Sequence, residues 1–171
     1  GCGEFSSETA DGVKWTYKGE WKDGHFDGNG ETAWSNGAKE IGIYKDDVIT
    51  PMTKIDLNKM FGEPEKFEHY FVELAGKIFT QPEYFDGGVA VQMYTDIDNY
   101  DKSIIAYLYG ENIVVNKDEL VKIRGVLGEV LEGTNAFGAE LKVPTVNAYG
   151  YELITYKDLH PVIAEIDVNE T

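Results

Sequence analysis

Leu120-Val-Lys-Ile-Arg-Gly125-Val-Leu-Gly128 alternates apolar and polar side chains and is broken by glycine, and Leu74-Ala-Gly76-Lys77-Ile-Phe79 earlier in the chain does the same. Period-two alternation belongs to a strand with one buried face. A glycine inside such a strand marks a bend or a close approach of another backbone. Working outward, strands are predicted from Tyr70 to Phe79, Val89 to Tyr94, Ser103 to Tyr109, Leu120 to Leu131 and Leu141 to Ile154. The breaks between them, Phe85-Asp-Gly-Gly88, Asn99-Tyr-Asp101, Asn112 to Asp118 and Gly133-Thr-Asn135, have turn chemistry. Five strands, with the long first and fourth bent at glycine, predict a small closed β-barrel over residues 68–156.

The first fifty residues read differently. They hold all three tryptophans, Trp15, Trp21 and Trp34, and nine of the nineteen glycines. From Tyr17 the text runs Tyr17-Lys-Gly19-Glu-Trp21-Lys-Asp-Gly24-His-Phe-Asp-Gly28-Asn-Gly30, with a partial echo at Ile41-Gly42-Ile-Tyr44-Lys-Asp. Short strands of alternating aromatic and polar residues, punctuated by Asp-Gly and Asn-Gly pairs, predict a β-meander over residues 13–50. The aromatic-x-Gly-x-aromatic-x-x-Gly spacing resembles a MORN repeat, present about one and a half times; an unrelated glycine-rich hairpin is the other reading. Residues 51–67 form a connector with one short helix. Thr53 and Asp56 imitate a capping box, Leu57, Met60 and Phe61 share a face, and Gly62 and Pro64 end the helix. Residues 157–171 are a tail.

Four segments, Leu74 to Phe79, Leu120 to Gly128, Thr134-Asn135-Ala-Phe-Gly138 and Val143-Pro144-Thr-Val-Asn-Ala148, together resemble the OB-fold domains of the tRNA-anti-like type found in small exported bacterial proteins. Glu63-Pro64-Glu-Lys-Phe67 stands where that group has a short proline-containing turn. The resemblance implies an OB-fold. It does not imply an activity, because the same barrel hosts oligonucleotide, oligosaccharide, peptide and purely structural roles. In two places the chain departs from the group. Gly110 to Glu119 leaves little room for the usual helix between strands three and four, and Glu68-His69 replaces a Lys-Gly pair.

A net charge of −16 on 171 residues opposes nucleic acid. The excess is shared, with 7 basic and 12 acidic side chains in residues 1–64 and 8 and 19 in 65–171. No apolar run approaches the eighteen or so residues a membrane helix needs, and a water-soluble globular chain is expected. The lone cysteine forbids an internal disulfide. Gly1-Cys2-Gly3 followed by the polar stretch Glu4 to Gly12 resembles the mature end of a bacterial lipoprotein. That resemblance implies a lipid on Cys2, a flexible tether over residues 1–12, and a location outside the cytoplasmic membrane. A free surface cysteine is the alternative.

Catalytic chemistry finds no foothold. His25, His69 and His160 are far apart and form no zinc-binding pair. There is no Gly-x-Ser-x-Gly elbow, no phosphate-cradling loop, and no cysteine near a histidine. Asp96-Ile-Asp98-Asn-Tyr-Asp101 fails as a calcium loop, since Asp101 stands where glycine is needed and Tyr107 where a bidentate glutamate is needed. Asp23-Gly-His25-Phe-Asp27-Gly28 fails at Trp34. No cofactor or metal is expected.

The positive signal is aromatic. Tyr84, Phe85, Tyr94, Tyr100, Tyr107 and Tyr109 fall on or beside the second and third barrel strands, the face on which OB barrels stack bases or sugars. Alternation puts Tyr107 and Tyr109 on one side of their strand without deciding which side faces out. Lys77, Lys102, Lys122, Arg124 and Lys142 are the basic residues that can form a local stripe. The candidate ligand-binding set is therefore Tyr84, Phe85, Tyr94, Tyr107, Tyr109, Lys122 and Arg124. The leading reading is a non-catalytic cell-surface module for a protein, glycan or peptide. A single-stranded nucleic-acid binder is the alternative, and a hydrolase without recognisable motif comes third. The meander is expected to bury its tryptophans against the barrel near Tyr107 and Tyr109, partly covering that face.

Overall fold

A computed structural model describes residues 1–96, 102–134 and 136–159. The readings placed on Asp98, Tyr100, Asp101, Asn135, His160 and the remainder of the tail lie outside these residues.

The protein is mostly β: an N-terminal meander followed by a closed five-stranded OB-fold barrel. The meander's strands are β1 (Cys2–Glu8), β2 (Lys14–Lys22), β3 (His25–Trp34), β4 (Lys39–Lys45) and β5 (Val48–Thr50), antiparallel and in sequence order. Its hairpins turn where the sequence places Asp-Gly and Asn-Gly, with positive φ at Asp23 (51°), Gly24 (84°) and Gly37 (93°). Such angles match the strand twist that tight hairpins need. The stretch expected as a flexible tether instead forms β1, in register with β2 from Cys2↔Glu20 to Glu8↔Lys14. Phe5 is the reason it stays. Its ring lies 5.5 Å from Trp15, 6.3 Å from Trp21 and 6.0 Å from Phe26.

At the β3–β5 corner the Asp47 carboxylate accepts hydrogen bonds from His25 Nδ1 at 2.6 Å and from the Phe26 N–H at 2.7 Å. The bond to Asp47 raises His25 above its ordinary value, and the same bond lowers Asp47. The contribution through His25 is full below about pH 6.5 and fades as pH rises through the higher folded value. Through Asp47 it is full above about pH 3.9 and fades as pH falls through the lower folded value. Asp47→Asn is expected to return the His25 titration, followed by ring-proton NMR, to the ordinary histidine range. An unchanged titration would mean the contact is not made in solution.

The connector carries α1 (Leu57–Gly62), whose N-cap is Asp56 rather than Thr53: the Asp56 side chain accepts from the Lys59 N–H. A 3₁₀ turn follows at Pro64–Phe67. Met60 is fully buried in the barrel core, with Leu57 and Phe61 packed beside it, so the helix plugs the barrel rather than merely linking two units.

The barrel is built from β6 (Phe71–Ile78), a three-residue β7 (Glu83–Phe85), β8 (Gly88–Tyr94), β9 (Ser103–Tyr109), β10 (Leu120–Leu127), a small hairpin of β11 (Leu131–Thr134) with β12 (Glu140–Val143), and β13 (Thr145–Leu153). A last short helix, α2, spans Tyr156–Leu159. The sheet order is β6-β10-β13-β9-β8, closed by β6–β8 pairing, with β13 parallel to β9 and the other barrel pairs antiparallel. Val72, Leu74, Ile78, Val91, Met93, Ile104, Leu108 and Ile123 fill the interior. No helix intervenes between β9 and β10. Among the described residues, none is long and apolar enough to cross a membrane.

The meander attaches elsewhere than expected. Ile41 N–H donates to His69 O at 2.8 Å, Met52 N–H to Phe71 O at 2.8 Å, and Glu73 N–H to Met52 O at 3.0 Å. These bonds take up the edge of β6 that has not yet reached β8. His69 serves this junction through its backbone, at φ 75°, and its N–H donates to Leu127 O. Trp15 and Trp21 do not need the barrel wall near Tyr107 and Tyr109, because they pack against Phe5 and Phe26 inside the meander.

Candidate functional site

Burial settles the phase that alternation leaves open. On β9, Ile104, Ala106 and Leu108 are buried, so Ile105, Tyr107 and Tyr109 face outward; on β8, Val89, Val91 and Met93 point in. Gly88 then has a specific use. A Cβ there would overlap the Leu108 carbonyl of β9 and stand 2.8 Å from Phe85 Cζ, so glycine lets β8 approach β9 closely and leaves room for the Phe85 ring to cross it. Phe85 stands edge-on to Tyr107 at 6.4 Å and to Tyr109 at 5.8 Å. Tyr109 stacks on Tyr149 of β13 at 5.3 Å and 21°, and its hydroxyl approaches Asn147 Oδ1 at 3.4 Å. T-shaped and offset ring pairs of this kind hold an aromatic surface in a defined shape. It stays in solvent: Phe85 is 39%, Tyr109 37% and Tyr149 75% exposed.

Three expected residues thus come together, Phe85, Tyr107 and Tyr109, while Tyr84, opposite the inward-facing Val89, projects from the other face of β7 and lines only the neighbouring groove. Tyr94 does not join them. It lies opposite Ser103 at the far end of β8, about 20 Å along the strand, where it stacks on Phe79 at 3.9 Å. Tyr149 is not legible as a site residue in the sequence, where the run Leu141 to Ile154 predicts one continuous strand. Only the parallel β13–β9 pairing, Asn147↔Tyr107 and Ala148↔Leu108, brings it beside Tyr109.

The basic stripe does not survive as free charge. Arg124 donates through Nε to Glu73 at 2.8 Å and lies 3.3 Å from Glu152; Lys122 lies 3.8 Å from the same Glu152. Lys77 pairs with Asp118 at 3.9 Å, Lys102 with Asp96 at 3.7 Å, and Lys142 with Glu65. Each pair is partly solvated and adds little stability by itself. Electrostatically, however, a phosphate approaching any of the five meets a carboxylate already in place.

Around the aromatic surface the charge is acidic. β7, β8, β9 and β13 contain no lysine or arginine, whereas Glu83 and Asp86 precede the tyrosine ladder and Glu111 follows it. A groove of about 430 Å³ runs between the β7–β8 turn and the segment after β9, lined by Tyr84, Phe85, Asp86, Glu111, Asn112 and Ile113.

Strand order and the parallel β9–β13 pair define the C-terminal unit as an OB-fold barrel. No protein-family model matches the chain, and no curated protein matches it. Among solved structures it is similar to the mitochondrial single-stranded DNA-binding protein Rim1 of S. cerevisiae. The TM-score is 0.37 and the identity 11%, covering 50% of this chain and 96% of that one.

Proposed function

We propose that the chain is a non-catalytic binding module whose ligand lies across the outer face of β8 and β9. The observation that carries this reading is the solvent-exposed cluster of Phe85, Tyr107, Tyr109 and Tyr149, locked by ring contacts on the wall of a rigid barrel. Ring faces offered to solvent in a fixed arrangement suit flat or apolar-faced partners such as a sugar, a peptide side chain or a base. That the module is non-catalytic rests on the sequence, which supplies no nucleophile with a base beside it. Calorimetry against a panel of oligosaccharides, peptides and oligothymidine tests the reading. A ligand whose binding is lost in the Tyr109→Ala, Tyr149→Ala double variant supports it; a ligand bound equally by that variant contradicts it.

Single-stranded nucleic acid is the second reading, favoured by the position of the tyrosines on the strands that OB barrels use for base stacking. Rim1, a single-stranded DNA-binding protein, has a similar fold. The paired state of Lys77, Lys102, Lys122, Arg124 and Lys142 weighs against it, because phosphate contacts supply most of such affinity. Tight binding of oligothymidine in the same panel, weakening steeply with salt, would promote it above the first.

Location at the bacterial cell surface through a lipid on Cys2 is part of the proposal. Cys2 is exposed, as a lipid site must be. Equal membrane partition of the wild-type precursor and Cys2→Ala would remove that part alone.

A further inference from the structure

The groove beside the tyrosines has a charge character that narrows its ligand. Glu83, Asp86 and Glu111 form no ion pair and no side-chain hydrogen bond among the described residues, unlike the carboxylates of β6 and β13, which are taken up by Arg124 and Lys122. Lys117, the nearest basic residue after Glu111, is separated from it by the buried Ile113 and Val115. Of the unpaired carboxylates, Asp86 and Glu111 line a groove walled by Tyr84 and Phe85, and from Phe85 the aromatic surface continues through Tyr107, Tyr109 and Tyr149.

Aromatic faces attract cations through the ring quadrupole, and adjacent carboxylates complete the charge. β7 adds a third element. It is the outermost strand of its sheet, pairs only with β8, and exposes all three residues. An edge of this kind is a template for an added extended strand.

We propose that this groove takes a lysine or arginine side chain of an extended basic peptide laid along β7, the cation seated over the rings and against Asp86 and Glu111. The proposal rests on the aromatic face being the binding surface, and names what it binds.

Fluorescence anisotropy with a labelled nine-residue peptide of alternating alanine and lysine tests it, alongside the same peptide acetylated on every lysine. Binding is expected to fall on the order of tenfold in Asp86→Asn, Glu111→Gln, and likewise in Tyr109→Ala, Tyr149→Ala. It should be unchanged in Glu8→Gln, Asp11→Asn, which removes the same charge from the meander. Equal loss in both charge-neutralising variants would reduce the effect to net charge and overturn the proposal. Equal binding of the acetylated peptide would overturn it too while leaving the aromatic face standing as a site for neutral ligands. Spermidine competing at the concentration of the peptide's own lysines would overturn the peptide as the source of the cation. If neither peptide senses Tyr109 and Tyr149, both this proposal and the reading beneath it fail.

Discussion

Gly76→Val is expected to cost about 3 kcal/mol or more, and to melt the barrel rather than merely loosen it. Gly76 sits where β6 leaves its long pairing with β10 and reaches β8, whose partners begin at Lys77↔Tyr94. A Cβ there would overlap the Tyr94 carbonyl and stand 2.9 Å from Met93 Cε. The carbonyl is backbone and cannot swing aside, so relief requires opening the β6–β8 closure. Gly125, at the bulge in β10, faces the Asn147 carbonyl in the same way and should respond alike. Gly133→Val in β11 is the control: nothing lies within 4 Å of that position, and its effect should stay within about 0.5 kcal/mol. Denaturant titration of the three variants checks the ranking. A Gly76→Val protein as stable as Gly133→Val would mean the barrel is not closed at that corner.

Tyr17→Ala should have a comparable effect on the meander, about 3–5 kcal/mol. Tyr17 is fully buried, stacks on Phe26 at 3.8 Å and 10°, and meets Trp21 and Tyr44 edge-on at 5.7 and 4.9 Å. Its hydroxyl donates to Glu20 O at 2.7 Å. The ring lies over the facing pair Gly19↔Gly30, where a Cβ on Gly30 would come within 2.6 Å of that hydroxyl. Burial holds the phenol above its ordinary range, so the hydroxyl stays a donor throughout neutral pH. Tyr17→Phe should lose only that hydrogen bond, about 1 kcal/mol. Tryptophan fluorescence reports the melt directly, since Trp15 and Trp21 belong to the same cluster. A Tyr17→Ala transition within a degree or two of wild type would show that the cluster adds little to stability.

How much of this was legible in the sequence divides along physical lines. Alternation over Ser103 to Tyr109 has both apolar and turn boundaries, and the strand falls where it was read. The glycines of β6 and β10 announce a bend or a close backbone approach, and at Gly76 and Gly125 a neighbouring carbonyl leaves no room for a Cβ. β1 was not legible: Glu4 to Gly12 has one aromatic, and its strand exists only because β2 offers a ladder and Trp15 a ring. β7 is not legible because three residues carry no periodicity and Phe85 belongs to a run with turn chemistry; its pairing depends on Gly87 at φ 95°. The helix start moved from Thr53 to Asp56 because either side chain can cap, and burial of Met60 selects the frame.

The candidate site was half legible. Local spacing placed Tyr107 and Tyr109 on one face, but the partners that complete it, Phe85 across Gly88 and Tyr149 across β13, are decided by pairings distant in sequence. The same holds for charge. Lys122 and Arg124 looked available because their partners Glu73 and Glu152 lie 51 and 28 residues from Arg124.

The aromatic face of β8 and β9 as the place where ligand binds is tested most directly by aromatic ¹³C–¹H NMR during titration with whichever panel member or peptide binds. The expected result is shifts at Phe85, Tyr107, Tyr109 and Tyr149, with Trp15, Trp21 and Tyr17 of the meander unmoved. Shifts confined to the meander or to the β11–β12 hairpin, with the four ring systems silent, would contradict it.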